Sequence, residues 1–141
     1  MEGDYKLKPL EKKHLKEMVN LDSICFSEGD AYPYEVMEYY FSSPFSFGLG
    51  YFYKEKLIAF ILWEKNHIIT IDVHPEHRRK GLGMNLLNFS IYRIKKKGYK
   101  SIYLEVDAEN SPAIKLYEKL NFKIEKKFIE NKKIRYLMAL K

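Results

Sequence analysis

The run Ile68-Ile69-Thr70-Ile71-Asp72-Val73 is followed after four residues by Arg78-Arg79-Lys80-Gly81-Leu82-Gly83, and from Leu82 onward apolar residues recur with helical periodicity. This order reads as a strand, a basic turn containing glycine, and the first turn of a helix. Such a turn aims several backbone N–H groups the same way, at the positive end of a helix dipole. Arg78, Arg79 and Lys80 add cationic attraction. The arrangement suits the grip of a phosphorylated ligand. It is not the dinucleotide fingerprint G-x-G-x-x-G, because Leu86 stands where the third glycine belongs. Nor does a Gly-Lys-Ser/Thr ending make it a P-loop.

Outward from this turn the chain alternates strands and helices. Residues 5–10 read as a short strand and residues 11–25 as a helix, with Leu15, Met18, Val19, Leu21 and Ile24 or Cys25 inward. Residues 29–33 form a turn and residues 34–41 a second, short helix. Residues 47–53 and 56–64 make a hairpin about the polar turn Lys54-Glu55, and residues 68–73 extend it. A helix over 81–97 carries Leu82, Leu86, Phe89 and Ile94 on one face and stops at Gly98. Residues 101–106 form a strand of buried character. A helix then starts at Ser111-Pro112, with serine as cap and proline first inside, and runs to Leu120. Strands 121–129 and 133–140 turn at Asn131-Lys132. The order β-α-α-β-β-β-α-β-α-β-β predicts an α/β fold, a single domain over 1–141 with one mixed, twisted sheet.

Composition sets the outer bounds. The chain has 141 residues, 46% of them hydrophobic, which is enough to build one core and excludes a disordered chain. No run approaches the roughly 18 apolar residues of a membrane span, and the N-terminus lacks a signal-peptide pattern. A cytoplasmic protein with no membrane partner is the expectation. The single cysteine, Cys25, allows no internal disulfide and sits in an apolar helical pattern, which reads as packing rather than nucleophile. Twenty-five Lys and Arg against 19 Asp and Glu leave a net charge of +6, suited to an anionic ligand or to nucleic acid. His74 and His77, with Glu76 between them, suggest a metal, but no further ligand is placed and the cofactor turn accounts for the loop, so none is expected.

Two stretches together carry a resemblance. The run from Ile71 to Gly83 resembles the acetyl-CoA signature of the GNAT superfamily of N-acetyltransferases, and Leu104-Glu105-Val106 through Asn110, Ala113, Leu116-Tyr117 and Asn121-Phe122 resembles a second block of that superfamily. The pattern is most similar to the branch of ribosomal-protein alanine and archaeal N-terminal acetyltransferases. It covers roughly residues 5–140, and Asn121 replaces the usual glycine while still tolerating a left-handed backbone. The resemblance implies two central parallel strands that splay apart at a bulge to admit the pantetheine arm of acetyl-CoA. It implies that Ile71, Asp72 and Val73 bond that arm, and that the amides of Arg79, Lys80, Gly81, Leu82, Gly83 and Met84, with Arg78 beside them, hold the pyrophosphate. Asn110 matches a cofactor-contacting asparagine; a helix cap is the other reading of it.

The reaction implied is attack of an amine on a thioester, which requires an ammonium to lose a proton, an oxyanion to be stabilised and a thiolate to be protonated. Tyr117 matches the acid proposed for the thiolate, and its other reading is packing on its helix face. A phenol holds its proton more tightly than a thiol does, so geometry must assist that transfer. Glu105 matches the general base, acting through water, unless it is simply a surface residue. The Val73 N–H is the expected oxyanion donor. The acceptor amine is expected between residues 26–34 and the terminal hairpin, with Phe26, Glu28 and Tyr34 as its contacts. An α-amine titrates near 7.7–8.0 against about 10.4 for lysine, so a protein N-terminus needs less help from a base. The hairpin turn carries no tyrosine, unlike that of typical N-terminal acetyltransferases, which leaves lysine side chains and small amines or polyamines open. Two other classes stay open as well: a non-catalytic acyl-CoA-binding module, and a nucleic-acid-binding domain drawn by +6 and the many aromatics. The second accounts for neither motif, and no nucleic-acid partner is expected.

Overall fold

The architecture is that of a computed structural model, which describes residues 4–27 and 29–141. The elements are β1 (Tyr5–Pro9), α1 (Leu15–Cys25), α2 (Tyr34–Phe41), β2 (Ser46–Tyr53), β3 (Lys56–Glu64), β4 (His67–Val73), α3 (Leu82–Lys96), β5 (Ile102–Asp107), α4 (Ser111–Lys119), β6 (Lys123–Glu130) and β7 (Lys133–Leu140). Single 3-10 turns at Lys12–His14 and Pro75–His77 precede α1 and follow β4. The order is the one the periodicities predict. All seven strands join one sheet in the order β1-β2-β3-β4-β5-β7-β6.

Every neighbouring pair is antiparallel except β4 and β5, which α3 connects as a parallel crossover. Helices cover both faces. On one face Leu82, Leu86, Leu87 and Ile94 of α3 and Tyr117 of α4 pack on Ile61, Ile68, Leu104 and Met138. On the other, Leu15, Met18 and Leu21 of α1 and Met37 of α2 pack on Phe52, Phe60 and Leu62. Residues 57–63 of β3 are therefore buried without alternation, as a strand covered on both sides must be.

Two local expectations are corrected and one alternative is decided. Of Ile24 and Cys25 it is Cys25 that packs against the core, while Ile24 is 54% exposed; Asp22 also turns inward on α1, its carboxylate accepting from the Tyr32 N–H at 2.7 Å. Phe89 is 42% exposed. The buried stripe of α3 is centred on Ser90, whose hydroxyl donates to Leu87 O, and Phe89 lies roughly 100° from that centre. Asn110, not Ser111, caps α4: its Oδ1 accepts from Ala113 N at 3.2 Å. Gly98 does end α3, at φ +102°, and Asn121 takes φ +72° as its residue type allows.

The sheet opens in its middle. β4 and β5 are in register only at His67↔Tyr103 and Ile68↔Leu104. On its other side β4 pairs Ile68 with Trp63 but Thr70 with Leu62, so Ile69 is an extra residue and forms a bulge. A bulge bends and twists its strand, and β4 leaves β5 just there.

Candidate active site

The parted strands enclose a cavity of about 700 Å³. Its walls come from Ile68 to Val73 of β4, Leu104 to Asp107 of β5, the turn into α3, the start of α4 with Leu116 and Tyr117, and the segment after α1. The backbone of β4 shows which polar groups face it. His74 N donates to Ile58 O at 2.8 Å, and Asp72 and Thr70 pair with Phe60 and Leu62 in the same ladder. Antiparallel ladders alternate such bonded pairs with pairs whose N–H and C=O point away. Ile71 and Val73 belong to the second set, so their amides turn toward β5 where the pairing has already ended. They can bond an inserted extended chain, and Val73 can meet a developing oxyanion. Asp72 differs: its backbone is spent on β3, and only its side chain reaches the cavity.

At the phosphate end, Arg79 and Gly81 both take positive φ, +65° and +81°, and the chain turns sharply into α3. The first helical bond is Asn85 N to Gly81 O at 3.0 Å, which leaves the N–H groups of residues 81–84 pointing outward. No side chain caps them and no acidic residue stands in the first turn. A Cβ on Gly83 would lie 3.5 Å from Val73 Cγ2, an ordinary contact. The glycine is thus not needed for packing, and what it provides is open access to the helix amides. Arg78 and Arg79 line the cavity, whereas Lys80 is exposed outside its lining. Arg78 Nε donates to Val73 O at 2.9 Å. Pyrophosphate chemistry fits this cradle.

Tyr117 is 6% exposed and reaches the cavity from α4, while Asn110 lines it from the cap of that helix. Burial, and then the negative charge of Asp72, push the Tyr117 phenol above its usual range, so it keeps its proton at neutral pH. Glu105 is exposed on the rim, on the face of β5 opposite the buried Leu104 and Val106. Cys25 also lines the cavity, with Sγ 3.4 Å from Val73 O. Burial, then the Asp72 charge, push its thiol up to about 12, which leaves a packing group and no nucleophile.

On the acceptor side Phe26 lines the cavity, Tyr34 does not, and Glu28 lies outside the described residues. Tyr32 stands where Tyr34 was expected, with its hydroxyl pushed up to about 12 chiefly by burial. Asp30 is tied to Lys133 Nζ at 2.5 Å, which fastens the segment after α1 to the β6–β7 hairpin. Lys133 lowers the Asp30 carboxyl below its usual range. The sequence reading also missed Asp22, Tyr32 and Arg135, whereas Asp30, which it gives as negative charge in the acceptor segment, lines the cavity. Asp22 left one signal: an acid directly after Leu21 on the apolar stripe of α1. The histidines are otherwise engaged. Tyr5 Oη lies 2.7 Å from His77 Nδ1, and His74 Nδ1 accepts from Glu76 N. No helix among the described residues is long and apolar enough to cross a membrane.

Comparison with known proteins adds to this geometry. The chain is 44% identical over 82 residues, 55% of its length, to an N-alpha-acetyltransferase of Saccharolobus solfataricus, covering 49% of that protein. It is 38% identical over 71 residues to the ribosomal protein bS18-alanine N-acetyltransferase of Escherichia coli, covering 48% of each. It spans about half the length of the relatives it matches. Its fold overlays the crystal structure of the ribosomal-protein-S18-alanine N-acetyltransferase from Escherichia coli with a TM-score of 0.84, at 23% identity, over 96% of this chain and 92% of that one. The family model for the acetyltransferase (GNAT) family matches residues 15–122, which include the bulged strand, the cationic turn and the tyrosine of α4. The chain belongs to the acetyltransferase (GNAT) family.

Proposed function

We propose that this protein transfers the acetyl group of acetyl-CoA directly to a primary amine, and that the amine is the α-amine of a protein N-terminus. One observation carries the reading: the unpaired amides of Ile71 and Val73 open into a cavity with an uncapped cationic helix start at one end and a buried tyrosine at its wall. Acetyl-CoA supplies a thioester carbonyl and a thiol leaving group. Ile71 holds its pantetheine arm as a neighbouring strand would, and the amides of residues 81–84 with Arg78 and Arg79 hold its pyrophosphate. Asn110 borders the same channel. The Val73 N–H stabilises the negative charge that grows on the carbonyl oxygen, a contribution that oxyanion donors commonly make at about 3–4 kcal/mol. Tyr117 gives its proton to the departing sulfur. Glu105 at the rim attracts the acceptor's ammonium and orients a water beside it.

The α-amine is favoured because it needs about 2.5 pKa units less help than lysine at neutral pH. Of the relatives named above, one is named an N-alpha-acetyltransferase and the other a ribosomal protein bS18-alanine N-acetyltransferase, which supports an α-amine acceptor. The test is thiol release from acetyl-CoA with peptides of varied N-terminus, N-terminally blocked lysine peptides and polyamines. Turnover confined to free N-termini is expected; turnover with lysine or polyamine would replace the acceptor, and coenzyme binding without turnover would make this a binding module. Tyr117→Phe should lower kcat by about 10²-fold while leaving coenzyme affinity intact. Unchanged kcat would remove its acid role.

A further inference from the structure

The carbonyl of Val73 lies on the same open edge of β4 as its N–H, because both groups point away from β3. Val73 ends β4, so its oxygen is the open-edge acceptor nearest the turn into α3. An extended arm that runs from the phosphate cradle toward Tyr117 meets this oxygen first. The oxygen is already engaged. Arg78 Nε donates to it at 2.9 Å, and Cys25 Sγ donates to it from 3.4 Å. A carbonyl oxygen has two lone pairs, and here both are taken. An incoming N–H must therefore replace one of the two donors.

The donors differ in their freedom to leave. Cys25 is held on α1 and packs against the core beneath that helix. Arg78 is exposed, at the end of a flexible stem, and lines the cavity three residues before the helix start at Gly81. It can leave without moving any element of the fold. Its two possible partners differ as well. The carbonyl is a single neutral acceptor, whereas a phosphate offers opposite charge and two parallel bonds to the planar guanidinium. A pyrophosphate in the cradle can draw Arg78 away, and a neutral arm by itself has nothing to offer in exchange.

We infer that Arg78 makes the slot along β4 selective for the phosphorylated coenzyme: it occupies the Val73 carbonyl until a pyrophosphate takes the guanidinium, and so discriminates acetyl-CoA from acetyl thioesters that lack phosphate. The inference rests on the coenzyme part of the reading above. A phosphate-free thioester that inserts along β4 loses the bond between Arg78 and Val73 and gains no replacement for it. The full coenzyme replaces it with a stronger one. Phosphate recognition at one end of the cavity is thereby coupled to arm recognition in the middle, and the two ends of the ligand report on each other. A side chain that merely braced the turn would produce no such coupling.

The test uses the full chain with pantetheine and with coenzyme A, and needs no acceptor amine. Arg78→Met keeps an apolar stem and removes the donors. Pantetheine affinity, followed through the backbone amide signals in NMR titrations, should rise about threefold, the worth of one exposed hydrogen bond. Coenzyme A affinity, followed by calorimetry, should fall about tenfold with the loss of a charge-assisted phosphate contact. The opposite signs are the signature. In the wild type, saturating inorganic pyrophosphate should shift the carbon-13 signal of the Val73 carbonyl, a reading that requires no variant. A fall in both affinities, no gain in pantetheine binding, or a Val73 carbonyl signal that pyrophosphate leaves in place overturns the role of Arg78. A wild-type chain that binds neither coenzyme A nor pantetheine overturns the acetyl-transfer reading itself.

Discussion

Asp72 is the residue whose burial makes the stability of the fold depend on pH. Burial first, then the hydrogen bond and charge of Asp22, hold its carboxyl well above the usual carboxylate range. The folded protein therefore keeps a proton that the unfolded chain gives up. Stability from this source is complete below the ordinary Asp value of about 3.9 and is lost as pH rises through the raised value. Asp72→Asn removes that titration. Urea melts at about pH 5 and about pH 9 should show the variant gaining on the wild type as pH rises, because the like-charge strain is gone. A constant difference at all pH values would show that the carboxyls do not interact. The sequence made Tyr117, Glu105 and Val73 legible because each sits inside a short block whose local pattern is specific. It left Asp22 hidden, because an acid on a helix stripe declares itself only when its partner on another strand is known.

At the scale of the element, the start of α3 leaves its N–H groups open instead of stabilising the helix. Its start lacks a side-chain cap and an acidic first turn, both of which would stabilise it, and carries Gly81 and Gly83 instead. Gly83→Ala tests this directly. The added methyl meets Val73 Cγ2 at 3.5 Å and Leu116 Cδ2 at 3.8 Å, distances that need no rearrangement. Helix propensity should then raise stability by up to about 1 kcal/mol. Coenzyme A affinity should nevertheless fall about tenfold or more, since the methyl covers amides that phosphate oxygens must approach. Thermal unfolding and titration calorimetry read the two effects separately; equal affinity in both proteins would show that the pyrophosphate lies elsewhere. This helix was readable in advance, because strand, turn and helix start are contiguous in sequence. Its buried face was read less well: small Ser90 at the centre carries no hydrophobic signal, and Phe89 beside it carries a misleading one.

Over the whole molecule, the sheet is two antiparallel halves joined by a short parallel seam. β1 to β4 form one half and β5 to β7 the other, and only two residue pairs of β4 and β5 are in register. A ligand that inserts as a strand would complete the ladder and couple the halves. The amides of Ile71 and Val73 should exchange with solvent quickly in the free protein and become protected when coenzyme A saturates it. Those of Thr70 and Asp72, already bonded to β3, should change little. Equal protection of all four with and without coenzyme would contradict insertion at this seam. Saturation to about 100 times Kd should also add about 2.7 kcal/mol to global stability. On the acceptor side, Lys133 joins Asp30 across 103 residues of chain and lies 3.8 Å from Asp107, so the hairpin and the segment after α1 form one rim.

The amino-acid sequence by itself determined the element order, the hairpin turns, the cationic, glycine-bearing helix start and the family, because each is written in neighbouring residues through periodicity, turn chemistry and contiguous motif. Tertiary structure alone decided that Ile69 is the bulge, that Ile71 and Val73 but not Asp72 offer their amides, that Tyr32 lines the cavity in place of Tyr34, and that Asp22 and Asp72 share one pocket. These depend on strand register and on which face a residue presents, and a shift of a single residue reverses both.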